Sequence, residues 1–228
     1  MIKVVSYSAL ADYKPQKPVR VAMHSYVQAL EKTLDLMALG HALKNERYDP
    51  TMEKLTLDLL IKLCGGLNKH DVEYMVVGGT AVGFYEFTRP SHPSMDRPEI
   101  KTDIDVWYRS EYTNRIRIVE TLKSLDFEYS ENDLHEMDLF SDPKWDDMLF
   151  IEQVNFKFDF IPYSKGLVFE NSIKNAKVIE LAGVKIPFIG YDDLIKTKSL
   201  INRKGIDDRD ISELEKIRNR KTKDGDLE

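Results

Sequence analysis

The run Thr102-Asp103-Ile104-Asp105-Val106-Trp107-Tyr108 alternates polar and apolar residues, and an extended strand is what sorts such a run into two faces. Asp is depleted in strands, yet Asp103 and Asp105 project together from one face while Ile104 and Val106 point the other way, toward a core. At the period of two their Cα atoms lie roughly 7 Å apart. Carboxylates so placed repel each other unless a cation or a partner base lies between them. The chain is thereby drawn to a sheet with one packed face and one acidic face. The Asp-x-Asp spacing alone decides nothing, because it recurs at Asp208/Asp210 and Asp224/Asp226, and an edge strand ending in solvent would tolerate the same pair.

Other elements fall around this strand. Residues 1 to about 17, interrupted by Pro15 and followed by Pro18, read as a loosely docked arm. From Val19 to Tyr48 apolar residues recur at helical spacing; Asp49-Pro50 breaks the pattern, and a second helix from Thr51 and Lys54 runs to a stop at Gly65-Gly66. The first strand is Glu73–Val77, ending in Gly78-Gly79, and Thr80–Phe87 reads as a helix begun from that turn. Thr88–Thr102, with three prolines and His92, is a long loop. Tyr112–Leu125 is amphipathic and helical, and Met148–Ile161 is strand-like, with Phe156, Phe158 and Phe160 facing one way and Lys157 and Asp159 the other. Ala182-Gly183 between Val178–Leu181 and Val184–Ile189 signals a hairpin, and Tyr191 to about Lys221 reads as two helices parted at Arg203–Asp207. His135-Glu136, without a second histidine at metal spacing, reads as loop; Trp107 and Phe84 read as core, and Cys64 as buried and inert.

Composition narrows the function classes. A formal net charge of −6 excludes coating nucleic acid by bulk charge, so any such contact needs a local basic face such as Arg218, Arg220, Lys221 and Lys223. One cysteine excludes an internal disulfide framework and a cysteine zinc cluster. No apolar run approaches the roughly 20 residues of a membrane span, and Met1–Val5, turning polar at Ser6 and Ser8, fits no signal peptide. A soluble protein of the reducing cytoplasm is the expectation.

Three features gain meaning together: Gly78-Gly79-Thr80 after a strand, Asp103 and Asp105 on the next, and Asp159 on a third. Mg²⁺ suits such carboxylates, because it is held by one or two of them with substrate phosphates and retained waters. Side-chain-free backbone at the glycines lets a triphosphate approach closely. Taken singly, each feature has a plain alternative: an ordinary turn at Gly78-Gly79, a pairing of Asp159 with Lys157, solvated strand ends at Asp103 and Asp105.

At these residues the chain resembles the nucleotidyltransferase superfamily that shares its catalytic domain with DNA polymerase beta. Asp193-Leu194-Ile195, Lys198, Arg203-Lys204, Asp207 and Asp210-Ile211 further resemble the ending of the AbiEii-type toxin-like nucleotidyltransferases. The likeness spans roughly residues 70 to 215. It implies an α+β fold, a small mixed sheet flanked by helices, in three stretches: a helical extension over 1–70, the core over 71–190 and a C-terminal helical segment over 191–228. It implies transfer of a nucleoside monophosphate from an NTP to an acceptor hydroxyl on RNA, protein or a small molecule, with an antitoxin or other regulatory protein as a partner. Asp103, Asp105 and Asp159 would be catalytic and would ligand two Mg²⁺ ions; Gly78, Gly79 and Thr80 would hold phosphates, and Lys198 would meet the nucleotide. An inactive nucleotide- or partner-binding module of the same fold is the rival. The chain departs from compact members in the 23 residues between Gly79 and Asp103, and Arg203–Asp207 is one residue longer than usual.

Overall fold

Tyr74–Val76 (β1), Thr102–Tyr108 (β2), Leu149–Glu152 (β3), Phe156–Ile161 (β4), Lys177–Leu181 (β5) and Val184–Phe188 (β6) form a six-stranded mixed sheet in the order β3-β4-β2-β1-β6-β5. The computed structural model describes residues 50–85, 102–144, 148–153 and 156–224. The N-terminal arm, the helix expected over Val19–Tyr48 and the Pro-rich loop up to residue 101 lie outside them. β1 pairs antiparallel with β2 and parallel with β6; β4 runs parallel to β2 and antiparallel to β3. Helices flank the sheet, giving an α+β fold.

The helix Pro50–Lys69 (α1) does not stop at Gly65-Gly66. Packing overrides propensity here. A Cβ on Gly66 would stand 2.9 Å from Thr121 Cγ2 and 3.0 Å from Leu125 Cδ2, so the glycine is what lets α1 approach the helix Tyr112–Ser124 (α3). The expected turn comes five residues later, where Asp71 takes a left-handed φ of 53° and Val72 N–H donates back to Leu67 O at 3.0 Å. Leu59, Leu60, Leu63 and Leu67 of α1 enter the same core as Ile104 and Val106 of β2 and Phe158 and Phe160 of β4.

Two further sequence expectations are corrected. Met148–Ile161 is not one strand but β3 and β4, an antiparallel pair with Leu149 opposite Phe160 and Ile151 opposite Phe158. Doubling back brings the apolar residues of both halves to one face, which a single long strand could not bury in so narrow a sheet. His135 and Glu136 lie not in a loop but on the helix Glu131–Phe140 (α4), which buries Met137 and Phe140. Its start was written in the sequence as Ser130-x-x-Asp133. Asp133 N–H donates to Ser130 Oγ at 3.1 Å, and Ser130 N–H donates to Asp133 Oδ2 at 2.9 Å.

Of the remaining elements, the helix after the Gly78-Gly79 turn, the hairpin and the two C-terminal helices follow the pattern read from the residues, and the short helix before the hairpin was not expected. Gly78–Phe84 (α2) leaves β1 directly; a single turn at Phe169–Ser172 (α5) precedes the β5–β6 hairpin, whose corner is Ala182 and Gly183 at φ of 48° and 80°. Tyr191–Ile201 (α6) and Asp207–Asp224 (α7) close the chain. Trp107 is 1% exposed, and Phe84 stacks on Phe188 with centroids 4.3 Å apart. Burial pushes the Cys64 thiol up to about 12, which keeps it an unreactive thiol. Among the described residues no helix is long and apolar enough to cross a membrane.

Candidate active site

Parallel pairing of β2 with β4 sets Asp103 beside Lys157 and Asp105 beside Asp159, because residues opposite each other in register share a face. On the far side of β4, β3 adds Glu152 beside Lys157 and Phe150 beside Asp159. The face opposite the core thus carries two rows, Asp103-Lys157-Glu152 and Asp105-Asp159-Phe150. Alternation along each strand does the sorting: Ile104, Phe158 and Phe160, wholly buried, hold the strands down while the charged residues stand on the other side.

Asp103, Asp105 and Asp159 each offer a carboxylate oxygen, and these three atoms all lie within 4.8 Å of one another. Asp159 is 8% exposed. Asp103 Oδ1 and Asp159 Oδ1 are buried with no hydrogen-bond partner among the described residues. Orphaned buried carboxylate oxygens are costly unless something outside the chain satisfies them. Two cations of the chain offset part of the repulsion. Lys157 Nζ donates to Asp159 Oδ2 at 2.5 Å. Arg203, whose Nε and Nη2 donate to Asp207 at 3.1 and 3.0 Å, adds its field at Asp103 and Asp105.

Three carboxylates in so small a space do not all ionise at their ordinary values. Burial, then the charges of Asp103 and Asp159, push Asp105 up to about 7 against the opposing pull of Lys157 and Arg203. Burial also raises Asp103 and Asp159, which Lys157 offsets in part. Burial opposes the charge of Lys157, but the hydrogen bond to Asp159 and the three carboxylates outweigh it, so its pKa is raised. A hard divalent cation matches this oxygen-only donor set and would relieve both the repulsion and the orphaned oxygens.

The glycine turn lies against the same carboxylates. Val77 N–H donates to Asp105 O at 3.0 Å, tying the end of β1 to β2, and the chain then turns at Gly78 with φ of 63°. A Cβ on Gly78 would fall 1.8 Å from Asp105 Oδ2. Gly79 is exposed with nothing within 4 Å of its Cβ direction, and Thr80 Oγ1 donates to Asp103 O at 3.0 Å. Gly78→Ala is therefore expected to cost about 1–3 kcal/mol of stability and to weaken divalent binding by displacing Asp105. Gly79→Ala is expected to leave both nearly unchanged. Thermal melts and Mn²⁺ titration of the two variants check the contrast.

Lys198, expected to meet the nucleotide, is turned inward. Its Nζ donates to Asp210 at 2.7 Å and Asp207 at 3.3 Å, and the residue is 2% exposed between α6 and α7. The cation of this segment whose charge acts on Asp103 and Asp105 is Arg203, which the spacing of the C-terminal motif left open. Its sequence signal is the four-residue step to Asp207, the helix-start carboxylate that also accepts Arg203 N–H at 2.8 Å. Of the basic run at the C-terminus, Arg218 is tied to Asp192 at 2.9 Å and lies over the Tyr191 ring.

No family model and no curated protein matches the sequence. Among solved structures, the chain is similar to a candidate nucleotidyltransferase, TM1012 from Thermotoga maritima, at 16% identity and a TM-score of 0.39 over 73% of this chain and 92% of that one. It is also similar to the lincosamide antibiotic adenylyltransferase LnuA in its lincomycin-bound form, at 16% identity and a TM-score of 0.43 over 74% of this chain and 98% of that one. At this identity the likeness says nothing about which residues act.

Proposed function

We propose that the protein is a metal-dependent nucleotidyltransferase that moves a nucleoside monophosphate from an NTP to an acceptor hydroxyl and releases pyrophosphate. The observation that carries this reading is the convergence of Asp103, Asp105 and Asp159, with two buried oxygens left unsatisfied, directly beside the Gly78 turn. Asp103, Asp105 and Asp159 would hold two Mg²⁺ ions, whose chemistry is to neutralise the triphosphate and polarise the phosphate under attack. In the transfer the acceptor oxygen bonds to the α-phosphorus while the bond to the β-phosphate oxygen breaks, and pyrophosphate leaves with that electron pair. Asp159, with its pKa raised, is suited to take the acceptor's proton. Gly78, Gly79 and Thr80 offer first-turn amides that have no partner within their helix, and these suit the β and γ phosphates. Arg203, braced by Asp207, adds positive charge where the leaving pyrophosphate gathers negative charge.

The C-terminal residues Asp193, Lys198, Arg203, Asp207 and Asp210 support the toxin-like branch of this reading, with a hydroxyl of a cellular RNA or protein as acceptor and an antitoxin as regulator. The test is incubation with each α-labelled NTP, Mg²⁺ and a cell extract. Transfer of label to an acceptor, abolished by a chelator, is expected; label transfer that survives the chelator overturns the metal-dependent mechanism.

One observation favours a second reading. Lys157 supplies from the chain itself a positive charge at 2.5 Å from Asp159, which suits a module that binds nucleotide without turnover. Calorimetric NTP binding with no pyrophosphate released under any acceptor condition would select it.

A further inference from the structure

The face that carries the three carboxylates also carries their counter-charge, and it is built into the same strand. Lys157 precedes Asp159 by two residues, so the strand period sends both side chains to one side, and the register sets Lys157 directly beside Asp103. Its ammonium is held between two surfaces. Asp159 Oδ2 accepts from it at 2.5 Å, and the Phe150 ring, from the neighbouring strand, lies 5.0 Å from Nζ to centroid. The side chain is 28% exposed, so the ammonium keeps a path to solvent. Asp103 and Asp105 also act on it, and Glu152 is its register partner on β3.

We propose that Lys157 is a resident counter-cation that competes with divalent metal for Asp159, so that metal binding at this face is an exchange of partners. The inference rests on the reading of the three aspartates as a divalent site and adds to it the residue that sets its affinity. A lysine ammonium is a compact point charge on a flexible stem, which can leave one carboxylate without disturbing the backbone that carries it. While it stays, it occupies an oxygen that a metal would need and makes the net charge of the cluster one unit less negative. A divalent ion arriving at Asp159 takes over that oxygen, and the released ammonium retains the Phe150 face and Glu152 beside it. Metal-free protein is thus spared three mutually repelling carboxylates. The same device holds the site's affinity for metal below what three aspartates alone would reach.

The experiment is Mn²⁺ binding to the full chain without nucleotide, by calorimetry or by loss of the free-ion electron paramagnetic resonance signal, for wild type, Lys157→Gln and Lys157→Arg. Lys157→Gln is expected to bind Mn²⁺ about tenfold more tightly than wild type. Lys157→Arg, which keeps the charge, is expected to stay within about twofold of it. In thermal melts, metal-free Lys157→Gln is expected to unfold below wild type, with saturating Mn²⁺ closing the gap. Equal or weaker Mn²⁺ binding by Lys157→Gln overturns the competition and leaves the nucleotidyltransferase reading standing. Binding by none of the three overturns both.

Discussion

Asp105→Asn is expected to abolish nucleotide transfer and, in the same protein, to raise stability at alkaline pH. The loss follows from position. Asp105 has Asp159 beside it in register and Asp103 two residues before it, and replacing its carboxylate by an amide removes charge where the phosphates must be neutralised. A fall of about 10³-fold in pyrophosphate release is expected, the scale on which one preorganised electrostatic group acts. The gain follows from protonation. The Asp105 carboxyl stands at about 7 in the folded protein, because burial and the Asp103 and Asp159 charges disfavour its ionised form. In the unfolded chain it ionises near 3.9. Between those values the folded state holds a proton that the unfolded state has released, so this group's contribution is full below about pH 4 and is lost as pH rises through 7. Metal-free wild type should therefore weaken from pH 5 to pH 8 by on the order of 2 kcal/mol, whereas Asp105→Asn, which keeps only the raised Asp103 and Asp159, should weaken clearly less. Saturating Mg²⁺ should restore wild type at pH 8 and leave the variant where it was. Denaturant melts at pH 5 and pH 8, with chelator and with Mg²⁺, check all three statements. A parallel pH slope in wild type and variant would separate the acidic cluster from the stability of the fold.

The part of this site legible in the residues was the part governed by strand alternation. Thr102–Tyr108 and Phe156–Ile161 each mix aspartate with bulky apolar residues at the period of two, and that pattern alone separates a charged face from a packed one. What alternation cannot reveal is which strands are neighbours. Asp105 meets Asp159 because β4 lies beside β2 in parallel register, a pairing set by tertiary packing across about fifty residues of chain. The same limit applies to Gly65-Gly66. Two glycines carry a strong local signal to stop, and the counter-signal, Thr121 and Leu125 pressed against Gly66, comes from a different helix. The helix Glu131–Phe140 is a different case, because its capping residues Ser130 and Asp133 were present locally and its apolar stripe was thin: Met137 and Phe140 are buried, while Leu134 is 43% exposed. Lys198 shows how little a motif says of direction. On α6 a lysine can reach outward or into the next helix, and the residues that decide it, Asp207 and Asp210, follow a turn later in the chain.

That inward turn gives Lys198 a consequence unlike that of a nucleotide contact. Lys198→Met is expected to destabilise the protein by about 3–5 kcal/mol, because Asp207 and Asp210, both 0% exposed, would lose a cation from a place where water does not replace it. Met keeps the length of the stem and fills the space, so the loss reads the charge and not a cavity. Asp207 retains the side chain and N–H of Arg203, which limits its share of the cost. Replacing the pair together, Lys198→Met with Asp210→Leu, removes both charges and should recover at least about 2 kcal/mol of what the single change loses. Urea unfolding of the two singles and the double gives that coupling directly. Activity supplies the second axis. If Lys198 contacts phosphate, the single variant loses transfer at temperatures where it is still folded and the double variant recovers none. If its work is to fix α6 against α7, and through Asp207 to brace Arg203, transfer returns with stability in the double variant, while Arg203→Gln loses transfer and, by taking two hydrogen bonds from buried Asp207, some stability as well. The second pattern is the one expected, since Lys198 is 2% exposed and its ammonium faces two carboxylates that are themselves fully buried.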